Sequence, residues 1–368
     1  MGRAGTLDIR GIDHIELYVG DARQAAFYFC RAVGFGLLGQ GGPETGLAGQ
    51  RSLLLGQADI RMVLTSGLSA DHPASRYVQR HGDGIAVVAL EVDDVAGAYA
   101  RLCDRGAVGL TPPTTFTGAD AEVVTAEVGG FGDVVHRLVQ RRGDRRDFLP
   151  GVIEAVPADG DADGVLAEID HLAVCVPPGQ LAATVRQYRE VFGFAEIFTE
   201  RIEVDGQAMN STVVQSPSER VTLVLLEPDA TGRAGQIDAF LDQHAGAGVQ
   251  HLGLRTDDIV TAVETLGRRG VRFAGTPGSY YDALEDRVGR VDGQVERLRD
   301  LGVLVDRDHG GQLLQIFTES MHVRRTLFLE LIERRGARTF GSGNIKALYE
   351  AKERELAAAA AVPQGVPA

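Results

Sequence analysis

Two stretches of the chain pass from alternating apolar and polar positions to a helical period in the same order. "GIDHIELYV" (11–19) and "EIDHLAVCV" (168–176) each open a short alternating run, as a half-buried strand does. An amphipathic helical stretch follows in both, and then a Gly-Phe turn, Gly34-Phe35 in the first copy and Gly193-Phe194 in the second. Further on, "GDGIAVVALEVDDVAGAYARLCDRGA" from Gly82 is matched by "GAGVQHLGLRTDDIVTAVETLGRRGV" from Gly246. Each carries an Asp where it can cap a helix, Asp94 and Asp258, and a glycine where the helix should stop, Gly106 and Gly270. Between the second pair, Ile259, Ala262, Val263 and Leu266 fall at i, i+3, i+4 and i+7, which is one buried helix face.

"VVHRLVQRRG" ending at Gly143 and "TLFLELIERRG" ending at Gly336 complete the correspondence, so the chain reads as a tandem duplication. Each half holds two strand–helix–strands units, which predicts an α+β protein of four modules of roughly 50 to 90 residues. The Asp-, Gly- and Pro-rich stretch from Arg141 to Glu168 reads as the connection, with the boundary near Gly160. The expected organisation is a first domain over 1–150, a second over 160–340, and a helix followed by a frayed tail over 341–368.

Composition narrows the function classes. At 368 residues, 44% hydrophobic and 24% charged, the chain can fill two cores. A net charge of −14 argues against nucleic acid as a partner. No basic-then-apolar leader and no apolar run near 18 residues is present, which predicts a cytoplasmic protein away from membranes. Cys30, Cys103 and Cys175 form no CxxC pair and read as reduced thiols.

The duplication supplies its own test for a metal site. His171 opens the third module, His251 lies in the first strand of the fourth and Glu330 in its last strand. The matching first-half positions hold His14, Val87 and Arg137, so two of three potential ligands are missing there. Two neutral imidazoles and a carboxylate are the facial triad that holds non-haem Fe(II) with adjacent positions left open. A lone strand histidine is usually structural; three at equivalent corners of a repeat, with their counterparts replaced in the other copy, are a candidate site.

The second half, with "IDHLAV", "MNSTVVQSPSE", "GVQHLGLRTDDI", "VDRDHGGQLLQIFT", "TLFLELIERRG" and "FGSGNIKALYEA", resembles the 4-hydroxyphenylpyruvate dioxygenase family, whose members include 4-hydroxymandelate synthases. That family belongs to the vicinal oxygen chelate superfamily and is built from βαβββ modules. The resemblance covers almost the whole chain, more faintly in its first 150 residues, and implies one Fe(II) per chain on His171, His251 and Glu330. It implies an aromatic 2-oxo acid as substrate, which supplies its own chelate, with O2 as co-substrate and a homodimer as the association. Polar substrate contacts are implied for Ser211, Gln236 and Gln315. Phe328 and Phe340 can wall an aromatic pocket, with Phe317 as a further ring.

Two products are open to this family, homogentisate by ring attack and 4-hydroxymandelate by benzylic hydroxylation. Ile345 stands where ring-attacking members carry Phe, Tyr349 lies one helical turn on, and Val224 begins a Val-Leu-Leu-Glu-Pro run in place of Pro-x-Asn-Glu-Pro. Singly, each change is equally explained by drift in core packing; their agreement favours hydroxymandelate. The alternatives are the homogentisate-forming dioxygenase, a non-catalytic chelate-fold protein that binds a small aromatic compound, and a glyoxalase-like isomerase, which would prefer a fourth protein ligand.

Overall fold

In a computed structural model, residues 7–157, 164–204, 206–291, 295–341 and 343–347 are described. The first half runs β1 (Ile9–Tyr18), α1 (Ala22–Tyr28), β2 (Gly36–Gly41), β3 (Gln50–Gln57), β4 (Ile60–Gly67) and α2 (Pro73–His81). It continues through β5 (Gly84–Val92), α3 (Val95–Asp104), β6 (Gly109–Thr117), β7 (Ala121–Gly129), β8 (Val135–Gly143) and the short β9 (Glu154–Ala155). The second half repeats the order: β10 (Glu168–Cys175), α4 (Leu181–Arg186), β11 (Ala195–Val204), β12 (Gln207–Gln215), β13 (Thr222–Pro228), α5 (Gln236–His244), β14 (Gly248–Arg255) and α6 (Ile259–Arg268). Three short helices, α7 (Gly278–Asp282), α8 (Leu284–Val288) and α9 (Val295–Leu301), then lead to β15 (Leu304–Arg307), β16 (Gln312–Phe317) and β17 (Phe328–Arg335).

Each half is thus two βαβββ modules, and each closes on its own curled mixed sheet. The orders are β6-β7-β8-β5-β1-β4-β3-β2-β9 and β11-β12-β13-β10-β14-β17-β16-β15. The modules meet where their first strands pair antiparallel, β1 with β5 and β10 with β14. Asp94 and Asp258 cap α3 and α6 through the backbone N–H of Gly97 and Thr261, which is why the chain turns from strand to helix at the same point in both copies. The expected boundary at Gly160 and position Tyr349 lie outside the described residues; of the expected C-terminal helix, 343–347 are helical.

Because strand side chains alternate, each sheet has two faces of different fate. One packs against helices, and a single large apolar cluster there runs through both halves, joining Ile15, Leu90 and Leu138 to Leu172, Leu252 and Leu331. The other face is concave. In the second half it carries Ala173, Cys175, Val213, Val224 and Leu226 as a separate cluster, with Phe198, Met209 and Phe340 packed against it. Among the described residues no helix is long and apolar enough to cross a membrane.

Candidate active site

Strand register brings the three candidate ligands onto the concave face of the second sheet. Ala173 pairs with His251 across β10 and β14, while His251 and Gly253 pair with Phe328 and Glu330 across β14 and β17. His171 lies opposite Gly253, so all three side chains converge at the junction of β10, β14 and β17. Their ligating atoms lie within 4.8 Å of one another. His171 Nε2 is 3.0 Å and His251 Nε2 3.5 Å from Glu330 Oε2. A close approach by a neighbouring residue makes this geometry possible: a Cβ on Gly253 would lie 2.5 Å from the His171 ring.

A carboxylate behind the histidine fixes its tautomer. His171 Nδ1 is 2.9 Å from Asp170 Oδ1, and Asp170 is gripped by Arg334 through Nε at 2.7 Å and Nη2 at 2.8 Å. With Nδ1 donating to Asp170, Nε2 is left as a lone pair aimed at the centre, the arrangement metal-binding histidines adopt. The residues fit a cation on electrostatic grounds as well. Burial opposes the charged form of His171, yet Glu330 and Asp170 outweigh it and push the pKa up to about 9. His251, buried and beside His171, is driven well below the ordinary histidine range. A buried carboxylate that makes an imidazole hold a proton is a place where positive charge is wanted, and a metal ion supplies it while leaving both histidines neutral.

The first half shows the same frame with a different centre. Register makes the correspondence explicit: Val87 pairs with Val135 and Ala89 with Arg137, just as His251 pairs with Phe328 and Gly253 with Glu330. The outer shell is retained, with His14 Nδ1 2.6 Å from Asp13 Oδ1 and Asp13 gripped by Arg141 at 2.6 and 2.7 Å. At the centre, however, the Arg137 guanidinium donates to Glu16 at 2.7 Å and to Glu127 at 2.8 and 3.0 Å, with His14 Nε2 3.4 Å away. A covalently attached cation therefore stands where the second half has only acceptors. The surrounding 340 Å³ cavity is self-neutralised in large part by this cluster.

Aromatic rings enclose the second-half centre. Phe328 stacks on His251 at 5.0 Å between centroids, Phe317 meets the same ring edge-on at 5.7 Å, and Phe340 meets His171 edge-on at 5.3 Å. Val224 and Ser211 are buried on the same concave face, on β13 and β12. Gln315 is 1% exposed, and its Oε1 has no hydrogen-bond partner among the described residues. The chain after Phe340 passes so close to this amide that a Cβ on Gly341, at φ +72°, would lie 1.8 Å from Gln315 Oε1. Ile345 is half-buried in the following helical turn.

One sequence candidate does not join the others. Gln236 is exposed in the first turn of α5 beside Gln207 and Pro228, while Ile237 and Phe240 of the same helix face the cluster on the concave face. Sequence reasoning in turn missed Asp170, Arg334 and Gly253. A signal for the first two is present, since Asp-His and the paired arginines recur in both halves, whereas a comparison of what one half lacks leaves shared residues unmarked.

Comparisons with known proteins agree with the geometry. The Glyoxalase/Bleomycin resistance protein/Dioxygenase superfamily matches residues 11–131 and 168–316, once per half. The 4-hydroxyphenylpyruvate dioxygenase of Yarrowia lipolytica is 32% identical over 95% of this chain and 92% of its own length. That of Coccidioides posadasii is 34% identical, covering 95% and 93%. Among solved structures, a triple mutant of 4-hydroxymandelate synthase from Streptomyces coelicolor superposes with a TM-score of 0.84 at 43% identity, over 95% of this chain and 99% of that one.

Proposed function

The chain belongs to the glyoxalase/bleomycin resistance protein/dioxygenase superfamily and, within it, to the 4-hydroxyphenylpyruvate dioxygenase family, and on that premise we propose that it converts 4-hydroxyphenylpyruvate and O2 to 4-hydroxymandelate and CO2. One oxygen atom enters the carboxylate left by decarboxylation and the other the benzylic carbon, so the substrate supplies all the reducing electrons. What favours this product is the 43% identity to a hydroxymandelate synthase, against 32% to 36% for matched dioxygenases.

His171, His251 and Glu330 would hold Fe(II), which supplies O2 activation and open positions for the oxo acid when bound. The protein's own part is to bind, orient and keep water out. Asp170 and Arg334 keep the His171 lone pair aimed inward. Phe317, Phe328 and Phe340 offer aromatic rings around the trio against which the arene can lie. Gln315 has a free amide oxygen for a polar substrate group. Ile345 would shape the wall that decides whether the benzylic carbon or the ring faces the oxidant.

Chromatography of the product at matched O2 consumption tests this reading. Wild type is expected to release mainly 4-hydroxymandelate without any requirement for 2-oxoglutarate. Ile345→Phe is expected to divert a measurable share to a ring-hydroxylated product, since about 1.4 kcal/mol between competing transition states changes their ratio tenfold. Homogentisate as the main wild-type product would overturn the assignment in favour of the sister reaction.

A further inference from the structure

The concave face that carries the ligand trio also carries a half-buried carboxylate, one oxygen of which is buried without a partner among the described residues. Glu200 lies on β11 directly opposite Ser211 of β12, and directly opposite residues of an antiparallel pair share a face. Its neighbours on that face are Phe198 and Ile202, and across β12 and β13 are Val213, Val224 and Leu226, all apolar. Among the described residues Glu200 Oε2 is buried without a hydrogen-bond partner and Glu200 makes no ion pair. The adjacent arginine offers no help, because Arg201 points the other way and is taken up by Asp229 and Glu203. A carboxylate oxygen left unpaired among apolar side chains costs more than a solvated one, so the position calls for a donor that comes from elsewhere.

Register says how far this group is from the chemistry. Ser211 pairs with Leu226, and Leu226 with Cys175, so Glu200 stands level with Cys175, four residues along β10 from His171. At the usual strand rise of about 3.3 Å per residue that is roughly 13 Å along the strand, and the step from β10 through β13 and β12 to β11 adds three strand spacings of about 4.8 Å each, measured along the sheet. The curl of the sheet shortens that path, since Phe198 beside Glu200 on β11 and Phe340 at the His171 ring pack against one cluster, so an arylpyruvate held at the trio by its oxo acid extends across the concave face toward Glu200. The far end of that substrate is a phenol, whose O–H is the donor Glu200 lacks.

We propose that Glu200, with Ser211 beside it, binds the para-hydroxyl of the substrate and so selects a 4-hydroxyarylpyruvate over its unhydroxylated counterpart. The inference rests on the substrate reading given above. The phenol donates to the carboxylate, the Ser211 hydroxyl is free to support the phenol oxygen, and the arene is thereby pinned at both ends. Pinning matters for product as well as affinity: an arene anchored at its hydroxyl presents its benzylic carbon at a fixed place.

The test compares 4-hydroxyphenylpyruvate with phenylpyruvate on wild type, Glu200→Gln and Glu200→Leu, all loaded with Fe(II). Anaerobic calorimetry reads binding, and O2 uptake reads kcat and KM. Wild type is expected to prefer the hydroxylated acid by 10-fold or more in both assays. Glu200→Leu should erase that preference by weakening 4-hydroxyphenylpyruvate 10- to 100-fold while phenylpyruvate binds equally well or better, because no unpaired carboxylate remains. Glu200→Gln, which keeps an acceptor oxygen, should retain part of the preference. Equal loss for both acids in the two variants would mean a structural role, and an unchanged preference would mean that the phenol is read elsewhere; either overturns the inference. Wild type that neither binds nor consumes either acid overturns the substrate reading itself, and this inference with it.

Discussion

At the scale of single residues, the two halves contrast most sharply in what they put behind and in front of the same imidazole. Behind His14 and His171 stand identical Asp–Arg pairs; in front stand Arg137 in one case and Glu330 in the other. Removing the rear carboxylate should therefore act on the metal through ring orientation. Asp170→Asn is expected to weaken metal affinity about 10- to 100-fold, as measured by calorimetric titration with Fe(II) under argon, with the fold retained by circular dichroism. His14→Ala should leave that affinity and O2 uptake unchanged while lowering thermal stability, because it leaves Asp13 and Arg137 short of a partner. His171→Ala, His251→Ala and Glu330→Ala should each abolish O2 uptake; an active variant among these three would remove the trio from the mechanism. The trio was legible in the sequence because the degenerate copy served as an internal control. The same comparison is blind to Asp170 and Arg334, which both copies keep, and to Glu200, whose partner would be a ligand rather than another residue.

At the scale of elements, the segment after β17 is held against the site by groups brought from far away. Tyr280 OH contacts Asn344 Oδ1 at 2.6 Å, and Arg287 Nη2 donates to the same oxygen at 3.0 Å. Gly343 N–H donates to Asp306 at 3.1 Å, and Gly341 lets the backbone cross Gln315. Helix-forming composition forecast a helix here, but nothing in local pattern could forecast its anchors, since Tyr280 and Asn344 are 64 positions apart. Gly341→Ala should displace this segment from Gln315, both by the clash and because φ +72° disfavours any side chain. The expected outcome is a KM for 4-hydroxyphenylpyruvate raised severalfold to tenfold, with metal affinity unchanged. A loss of metal affinity in that variant would show that the segment supports the ligands and not the pocket.

At the scale of the whole molecule, the two halves share one apolar cluster, and histidines from both halves meet at their junction. His81 stacks on His244 at 4.4 Å; its Nδ1 is 2.6 Å from the His244 carbonyl oxygen and its Nε2 2.8 Å from Asp133. His136 from β8 meets Tyr188 OH of the second half at 2.7 Å. Burial pushes His136 down to about 4, and burial with the neighbouring His81 does the same to His244. Both groups take up a proton more readily when unfolded, near 6.5, than when folded. Stability they leave intact above 6.5 is therefore lost progressively as pH falls toward 4, by a few kcal/mol for the pair on an order-of-magnitude basis. His171 in metal-free protein works in a separate window: raised to about 9, it contributes fully below 6.5 and ceases to contribute as pH rises through 9. Urea unfolding of the metal-free protein should thus give a midpoint that falls on both sides of pH 6.5. Loading with metal should flatten the alkaline limb, since His171 then binds the ion as a neutral ligand in place of a proton. His244→Phe, which keeps a ring between Phe240 and His81, should flatten part of the acid limb alone. A wild-type midpoint constant from pH 6.5 to 4.5 would mean that these imidazoles are solvated or protonated in the folded protein, and that the junction between the halves is looser than its packing indicates.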